Sequence, residues 1–364
     1  MLNIVILALV NSAIICNAGN PIQSKLTKGN HFQSRWVTTN SMNNVRYMHT
    51  ASVLPNGKVL VTGGDDGDVS LDSVELYDPT ARNWTIIKSM KHARSMHTAT
   101  LLTNGKVLVI GGDDNGRALK STELYDSSTE TWTSSGNLND ERFLHTALLL
   151  TDGKVLVCGG LGKGQLNSSE LYDPSTGVWT VTGPMKHARL GHTASLMNNG
   201  KVLATGGMAS GFLNSTEIYD PSTGDWTMSG QMHHERYYHT ASVLSNGDVL
   251  VTGESDTVVV RRDTETYNAS TGSWSVSRPM NIARYMHTAV VLPNEMVFVI
   301  GGLGTAALNS SELYDPLSKN WTVTSSMNTA RYSHTASPLN NGQILVTGGS
   351  SGTILNSAEV YSTF

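Results

Sequence analysis

The sequence contains few charged residues and no surplus of basic ones. Asp, Glu, Lys and Arg make up 15% of the 364 residues, whereas about 25% is usual in soluble domains. Lys and Arg number 25 against 29 Asp and Glu, which gives a net charge of -4. Because nucleic-acid binding needs a concentrated basic surface, no nucleic acid is expected among the partners.

Cysteine is nearly absent as well, with only Cys16 and Cys158. Residues 2–16 form an apolar stretch that is shorter than the roughly 20 helical residues needed to span a bilayer but is typical of a secretory signal peptide. We therefore expect a signal peptide at residues 1–18, an extension at 19–32, and a secreted, extracellular or luminal protein without membrane insertion after cleavage. A retained membrane anchor is the alternative. Cys158 would then be the only thiol, with no partner for an internal disulfide.

Six Asn-x-Ser/Thr sequences are candidate glycosylation sites in a secreted chain. They begin at Asn83, Asn167, Asn214, Asn268, Asn309 and Asn320. Asn, Ser and Thr are also ordinary turn residues, so these sequences support secretion only weakly.

What the sequence has in abundance is one repeated unit. The pattern Arg-x-x-His-Thr occurs seven times, with its arginines at Arg46, Arg94, Arg142, Arg189, Arg236, Arg284 and Arg331. Successive copies are 47 or 48 residues apart, and a fixed period of this size indicates a solenoid or a propeller. Each copy continues with two apolar runs, usually a Gly-Gly pair, a variable loop, Glu-x-Tyr and, in all but the last copy, a Trp.

One unit has the length and periodicity of four short strands. In the first copy these are predicted at residues 49–54, 58–62, 73–77 and 84–87. Asn56-Gly57 predicts a hairpin turn in which both residues have positive φ, and Gly63-Gly64 lets the chain leave the second strand through conformations closed to other residues. A four-stranded sheet cannot bury both of its faces alone, so the copies are expected to stack around an axis as a β-propeller.

These features resemble the kelch repeat family. The diagnostic elements are the paired glycines, the spaced Tyr and the Trp that follows, and they extend from residue 33 onward. The resemblance implies an all-β protein in which residues 33–364 form a β-propeller of kelch repeats. The fifth copy departs from the pattern because Gly253 is followed by Glu254, and its loop is expected to follow a different path.

Seven tryptophans predict the number of blades and how the ring closes. They are Trp36, Trp84, Trp132, Trp179, Trp226, Trp274 and Trp321. The seventh copy reaches its third strand at Tyr361 without a Trp of its own, whereas Trp36 lies 48 residues before Trp84. We therefore predict a seven-bladed ring whose last blade is closed by the N-terminal strand, which removes an open sheet edge. A six-bladed ring with a loose fragment is the alternative.

Residues present in every copy are interpreted as scaffold. The seven arginines and the glutamate two residues before each Tyr are expected to form buried, hydrogen-bonded pairs, because a catalytic carboxylate is not needed seven times. Each repeated histidine is expected to begin an innermost strand and to bond a neighbouring backbone group. A seven-fold ring does not offer the tetrahedral set that Zn²⁺ needs, so no metal and no cofactor are predicted. Cys158 stands where other copies carry Thr or Ile, which favours a small buried side chain.

Residues that vary between the copies are the candidates for function. The two positions between Arg and His are expected to cluster around the mouth of the central channel, where aromatic and Met side chains supply contact area. The predicted ligand-binding residues are Tyr47, Met48, Phe143, Tyr237, Tyr238, Tyr285, Met286 and Tyr332. Packing of half of this set between the blades is the alternative.

The loop after the second strand is a second variable set, expected on the same face. Its candidate residues are Asp65, Asp66, Asp68, Asp113, Asp114, Arg261 and Arg262. They predict a face that is acidic over the first two blades and basic near the fifth. The first three carboxylates suit Ca²⁺, but their spacing lacks the Glu of a calcium loop, so a solvated turn is the interpretation.

An enzymatic alternative follows from a resemblance to the galactose oxidase family, whose catalytic domain is a seven-bladed kelch propeller with copper on its axis. The resemblance implies a site of two Tyr, two His and a Tyr cross-linked to Cys. Tyr237-Tyr238-His239 is similar to the Tyr-His pair of that family. The other ligands are missing, since Cys158 ends a second strand and has no candidate Tyr beside it.

The sequence therefore predicts a non-enzymatic, monomeric binding module that recognises a protein or glycan through its channel mouth, with no catalytic residues. The alternatives are a relic of a copper radical oxidase and a carbohydrate-active propeller. A more remote alternative is an adaptor for ubiquitination or actin binding, as in kelch proteins that carry a BTB domain.

Overall fold

The computed structural model describes residues 35–255 and 260–362, and the regular elements in these ranges are β-strands. The predicted signal peptide at 1–18 and extension at 19–32 lie outside the described residues. No helix in the described ranges could span a membrane.

The strands form seven four-stranded antiparallel sheets, each of which is one blade. The chain begins with β1 (Arg35–Thr39), and blade 1 contains β2 (Thr50–Val53), β3 (Val59–Thr62), β4 (Val74–Asp78) and β5 (Asn83–Ile87). Blade 2 contains β6 (Thr98–Leu101), β7 (Val107–Ile110), a small hairpin of β8 (Asp113–Asp114) and β9 (Arg117–Ala118), β10 (Thr122–Asp126) and β11 (Thr131–Ser134). Blade 3 contains β12 (Thr146–Leu149), β13 (Val155–Cys158), β14 (Ser169–Asp173) and β15 (Val178–Thr182).

The remaining blades repeat this order. Blade 4 contains β16 (Thr193–Leu196), β17 (Val202–Thr205), β18 (Thr216–Asp220) and β19 (Asp225–Met228). Blade 5 contains β20 (Thr240–Val243), β21 (Val249–Ser255), β22 (Val260–Asn268) and β23 (Ser273–Ser277). Blade 6 contains β24 (Thr288–Val291), β25 (Val297–Ile300), β26 (Ser311–Asp315) and β27 (Asn320–Val323). Blade 7 contains β28 (Thr335–Pro338), β29 (Ile344–Thr347), β30 (Ala358–Ser362) and β1.

The first strand of each blade is innermost, because the first strands of neighbouring blades contact one another around the axis. The β1 strand pairs with β30 as the outermost strand of blade 7, with Trp36 opposite Tyr361. The other six blades contain the same Tyr–Trp pair, with ring centroids 4.9–5.2 Å apart. The predicted all-β, seven-bladed β-propeller closed by the N-terminal strand is confirmed.

The core lies between the blades, on both faces of the second strands. In β3, Val59 and Val61 pack with Leu345 of blade 7. The side chain between them, Leu60, packs with Val107 of blade 2. Alternate side chains therefore serve two different interfaces, which explains why these strands read as continuous apolar runs instead of alternating patterns.

The hairpins between first and second strands do not have the predicted turn. Gly57 has a φ of 81°, but Asn56 is not among the residues with positive φ. The N–H of Gly57 donates to the carbonyl oxygen of Leu54 at 2.9 Å, and the N–H of Leu54 donates to that of Lys58 at 2.8 Å. This is a type I turn followed by a left-handed glycine bulge, and Pro55 suits its second position because proline fixes φ near −65°.

The paired glycines turn the chain out of the second strand, as predicted. The second glycine has φ between 91° and 108° in six blades, a region closed to residues with a Cβ. In blade 5 this position is Glu254, and the chain cannot make the turn. The β21 and β22 strands instead continue as a longer hairpin with a register shift after Thr252, so the predicted departure of the fifth copy is confirmed.

Candidate binding site at the channel mouth

Buried ion pairs fix the two segments that build the mouth. In blade 1, Arg46 Nη2 lies 3.0 Å from Glu75 Oε1, and both side chains are fully buried. Arg46 Nη1 donates to the carbonyl oxygen of Gly63 at 2.6 Å, and Glu75 Oε2 accepts from the N–H of Asn43 at 2.7 Å. The Arg–Glu pair recurs in all seven blades at 2.8–3.0 Å. The prediction of buried pairs is confirmed, and each pair ties the incoming segment to the glycine turn.

The repeated histidines join neighbouring blades. In blade 2, His97 Nε2 lies 3.0 Å from Thr50 Oγ1 and 3.1 Å from Thr62 Oγ1 of blade 1, and His49 makes the same contacts to blade 7. The predicted bond to a backbone group is therefore wrong for Nε2, whose partners are threonine hydroxyls. Burial, together with the charge of nearby arginines, lowers the pKa of all seven imidazoles.

The residue before each histidine belongs to a closed ring of hydrogen bonds around the channel. Its N–H donates to the carbonyl oxygen of the equivalent residue in the preceding blade, at 3.1–3.3 Å. The ring residues, all with φ between 53° and 59°, are Met48, Met96, Leu144, Gly191, Tyr238, Met286 and Ser333. Left-handed backbone is unfavourable for residues with a Cβ, so the surrounding bonds must hold it. The ring fixes the direction in which these seven positions present their side chains.

Side chains from the ring and its neighbours form one continuous apolar and aromatic surface, which we call the mouth cluster. Its buried members are Met48, Phe143, Leu144, Leu190, Tyr238 and Met286. Its partly exposed members are Tyr47, Met96, Ala118, Leu161, Met208, Tyr237, Tyr285, Leu303 and Tyr332. All eight predicted ligand-binding residues lie in this cluster. Four of them form part of its buried base, and the four tyrosines Tyr47, Tyr237, Tyr285 and Tyr332 are accessible at its surface.

Sequence analysis missed one set of mouth residues, those that follow the paired glycines. Backbone bridges join Phe143 to Leu161 and Leu190 to Met208. This pairing brings Leu161 and Met208 into the mouth cluster, and Leu303 enters it in the same way. The signal was present in the sequence as an apolar residue at a fixed position after the glycine pair in three copies.

Two adjacent aromatic rings from blade 5 lie over the mouth. The ring centroids of Tyr237 and Tyr238 are 3.7 Å apart, and Phe212 of blade 4 lies 5.7 Å from Tyr237. Gly191 makes room for them, because a Cβ there would lie 2.4 Å from Tyr237 Cε2. Burial raises the pKa of Tyr237 to about 12, so this phenol stays protonated at neutral pH.

The predicted acidic loop of blade 1 lies at the edge of the mouth cluster. The backbones of Asp65 and Tyr47 exchange two hydrogen bonds of 3.0 and 2.9 Å. Asp65 Oδ1 accepts from the N–H of Gly67 at 2.7 Å. Backbone N–H donors lower the pKa of Asp66, and Asp68 is exposed at the tip. These carboxylates cap their own turn and remain available to solvent.

In blade 2 the predicted carboxylates are divided between structure and surface. Asp113 is buried, its Oδ2 accepts from the N–H of Gly116 at 2.8 Å, and burial raises its pKa. Asp114 is partly exposed and lines an open polar groove of 710 Å³ beside Lys91. The predicted basic residues of blade 5 lie on β22, with Arg261 partly buried and Arg262 exposed.

The described residues do not fit the copper site that the galactose oxidase resemblance implies. His239 is buried, with Nε2 3.0 Å from Thr193 Oγ1. Cys158 is buried with Sγ 3.2 Å from Thr146 Oγ1, and burial raises its pKa to about 11. In the described part of the chain, no group of three or more His, Cys, Asp and Glu residues is placed to hold a metal ion.

Three of the candidate glycosylation residues have a structural role. The Nδ2 atoms of Asn167, Asn214 and Asn309 donate to the carbonyl oxygens of Met185, Met232 and Met327 at 3.0–3.1 Å. Asn268 caps a turn, where its Oδ1 accepts from the N–H of Thr271 at 2.9 Å. Asn83 and Asn320 begin outermost strands and are exposed.

Comparisons with known proteins agree with this architecture. The family model of the KLHDC2/KLHL20/DRC7 Kelch-repeats domain matches residues 17–207 and 144–349. Among solved structures, a fungal alcohol oxidase of the AA5 family in complex with copper is similar, with a TM-score of 0.75 and 20% identity over 90% of this chain and 76% of that chain. At this identity the likeness concerns the fold alone. No curated protein sequence matches the chain. The match of the family model over most of its length shows that the chain belongs to the kelch-repeat family.

Proposed function

We propose that this kelch propeller is a non-enzymatic binding module that recognises a protein or glycan through the mouth cluster. The observation that carries the proposal is the continuity of that surface, to which every blade contributes. Exposed apolar and aromatic patches of this kind mark interaction sites. Tyrosines are well suited to such sites because they add large contact areas at little cost in conformational entropy.

The rigidity of the site supports the same function. The mouth side chains extend from a hydrogen-bonded backbone ring, and buried Arg–Glu pairs hold the segments beneath them. A surface that is already ordered loses little entropy on binding. We propose that the module acts as a secreted or luminal monomer without a cofactor, an assignment that the apolar segment at residues 2–16 supports.

A triple substitution tests the proposal. Tyr47, Tyr285 and Tyr332 are changed together to Ala, and capture of proteins from extracellular extract and of glycans on an array is compared with wild type. The control changes Ile86 and Val276, exposed apolar residues of outermost strands, to Ala. We expect the mouth variant to lose its ligand with little change in melting temperature, and the control to keep it. Equal capture by the two variants would rule out the mouth as the binding surface.

The non-enzymatic part of the proposal has its own test. The purified chain is incubated with Cu²⁺, dialysed and assayed for bound copper and for oxidation of primary alcohols. We expect no stoichiometric copper and no activity. Retention of one copper per chain together with alcohol oxidation would overturn this part.

A further inference from the structure

We infer that the mouth binds a basic peptide segment of a partner protein, with a Lys or Arg side chain held in a tyrosine- and aspartate-lined sector over blades 6, 7 and 1. This inference rests on the proposed binding function. We call the sector the phenol sector, and it consists of Tyr285, Tyr332, Ser333, Tyr47 and Asp65.

Three consecutive blades place a tyrosine at the same position of the repeat. Tyr285, Tyr332 and Tyr47 all follow the conserved arginine of their blade, and all are partly exposed members of the mouth cluster. Tyr332 lies near both of the others, since it adds to the effect of burial in raising the pKa of Tyr47 and of Tyr285. Asp65 also raises the pKa of Tyr47. Aromatic faces next to a carboxylate form a favourable site for an ammonium or guanidinium group.

Ser333 supplies an independent sign that this sector takes a polar group. Its Oγ is buried without a hydrogen-bond partner among the described residues. Met48 and Met286, its neighbours in the backbone ring, place their side chains in the base of the mouth cluster. Ser333 has the same backbone conformation, with φ of 57° against 55° and 58°, so its hydroxyl points into the same base. A buried hydroxyl without a partner is unfavourable, and a ligand N–H would satisfy it.

The charges around the sector favour a cation. The mouth segments of blades 6, 7 and 1 contain no lysine between residues 279–286, 301–310, 324–333, 348–357, 40–48 and 63–73. Their three arginines are buried and paired with glutamates. Four aspartates lie in the loop of blade 1: Asp65, Asp66, Asp68 and Asp72. This field attracts cationic ligands and repels anionic ones.

The opposite side of the mouth indicates a peptide as the source of that cation. Over blades 3 and 4 the cluster consists of Phe143, Leu161, Leu190 and Met208. An apolar side chain fits this half while a cationic one fits the phenol sector, and a short peptide segment carries both. A neutral glycan would leave the aspartates unused, and an acidic glycan would be repelled by them.

Selection from a random peptide library displayed on phage tests the inference with the full chain as bait. Recovered peptides are synthesised with each Lys or Arg changed to Gln, and dissociation constants are measured by fluorescence anisotropy. The protein variants are Asp65→Asn, in which the amide oxygen keeps the bond to Gly67, and Tyr332→Leu. Tyr332→Phe retains the aromatic face. Asp152→Asn is the matched control, because it introduces on the opposite face the Asn that other copies carry in that turn.

We expect recovered peptides to contain Lys or Arg, and binding to weaken about ten-fold for the Gln peptides, for Asp65→Asn and for Tyr332→Leu. Tyr332→Phe and Asp152→Asn should bind as wild type does. Peptides that depend on the mouth tyrosines but are neutral or acidic, or that bind Asp65→Asn equally well, would overturn this inference and leave the proposed function intact. Recovery of no mouth-dependent peptide, with glycans bound instead, would overturn it as well and would assign the mouth to glycan recognition.

Discussion

Trp36 lies directly opposite Tyr361 in the outer pair of strands of blade 7, with the ring centroids 5.1 Å apart. The indole N–H donates to the carbonyl oxygen of Ser325 at 3.0 Å, and the indole ring stacks 6.1 Å from Phe298 of blade 6. One side chain thus connects the N-terminal strand to two blades, and the closure of the ring depends on it.

Replacing Trp36 should destabilise the propeller more than replacing an equivalent tryptophan inside a blade. Trp36→Ala and Trp179→Ala each remove a buried indole, which costs about 3–5 kcal/mol. Trp36→Ala also loosens β1 and exposes an edge of blade 7, so its free energy of unfolding should fall further. Urea unfolding of both variants measures the difference. An equal or smaller loss for Trp36→Ala would show that β1 does not hold the ring closed.

Breaking one buried Arg–Glu pair should be far more costly than breaking a surface pair. Glu170→Gln leaves the guanidinium of Arg142 buried without its counter-charge, and we expect a loss of about 3–5 kcal/mol. Lys58→Gln, which removes a partly exposed contact of 3.7 Å to Asp78, should cost about 0–1 kcal/mol. Denaturant midpoints compare the two variants. Similar midpoints would mean that the buried pairs add little to stability.

Mild acid should unfold the protein. Burial keeps the seven repeated histidines neutral in the folded state and lowers the pKa of His239 to about 3, whereas the unfolded chain binds protons near pH 6.5. Below about pH 6.5 the unfolded state therefore holds more protons, and the free energy of unfolding falls by up to about 1.4 kcal/mol per pH unit for each histidine.

Urea midpoints between about pH 8 and pH 5 measure this dependence. The curve should be nearly flat at its upper end and fall steeply at its lower end. His239→Gln should reduce the slope by about one proton, while His92→Gln, outside the set of repeated histidines, should leave it unchanged. A profile without a fall below neutrality would contradict the assignment.

Alanine should be tolerated at Gly191 and not at Gly207. A Cβ at Gly207 would lie 2.9 Å from the carbonyl oxygen of Leu190 and 2.8 Å from His192 Cβ, both fixed by the ring. At Gly191 it would meet the ring of Tyr237, which can move aside. We expect losses of about 1 kcal/mol for Gly191→Ala and about 3 kcal/mol for Gly207→Ala. Ultraviolet titration should also show the pKa of Tyr237 falling from about 12 toward its ordinary value in Gly191→Ala. Equal losses would contradict this reading of the two sites.

The architecture was predictable because it is written as spacing. The position of Trp36 one period before Trp84 predicted the closing strand, and the paired glycines predicted the turn that Glu254 removes from blade 5. The turn at Asn56 was not predictable in detail, since Asn-Gly fits both a mirror-image turn and a type I turn with a bulge, and Pro55 favours the second.

The candidate site was predictable in its membership and not in its depth. The repeat placed Tyr47 and Tyr238 in one cluster, but it did not separate the exposed ring of the first from the buried ring of the second. That difference arises from the left-handed backbone of the residue before each histidine, which turns its side chain toward the base of the mouth. The bonds from His97 to threonine hydroxyls were missed as well, because they cross from one blade to the next.

The strand pairing of blade 7 also sets the order of events during synthesis. The β1 strand leaves the ribosome first, yet its partner β30 emerges last, after a delay of tens of seconds at about 5–20 residues per second. Blades 1 to 6 can assemble in the interval, whereas β1 waits with its tryptophan exposed to solvent and to chaperones. Completion of the native ring is therefore a post-translational step, and its speed depends on how well the nascent N-terminal segment is protected until then.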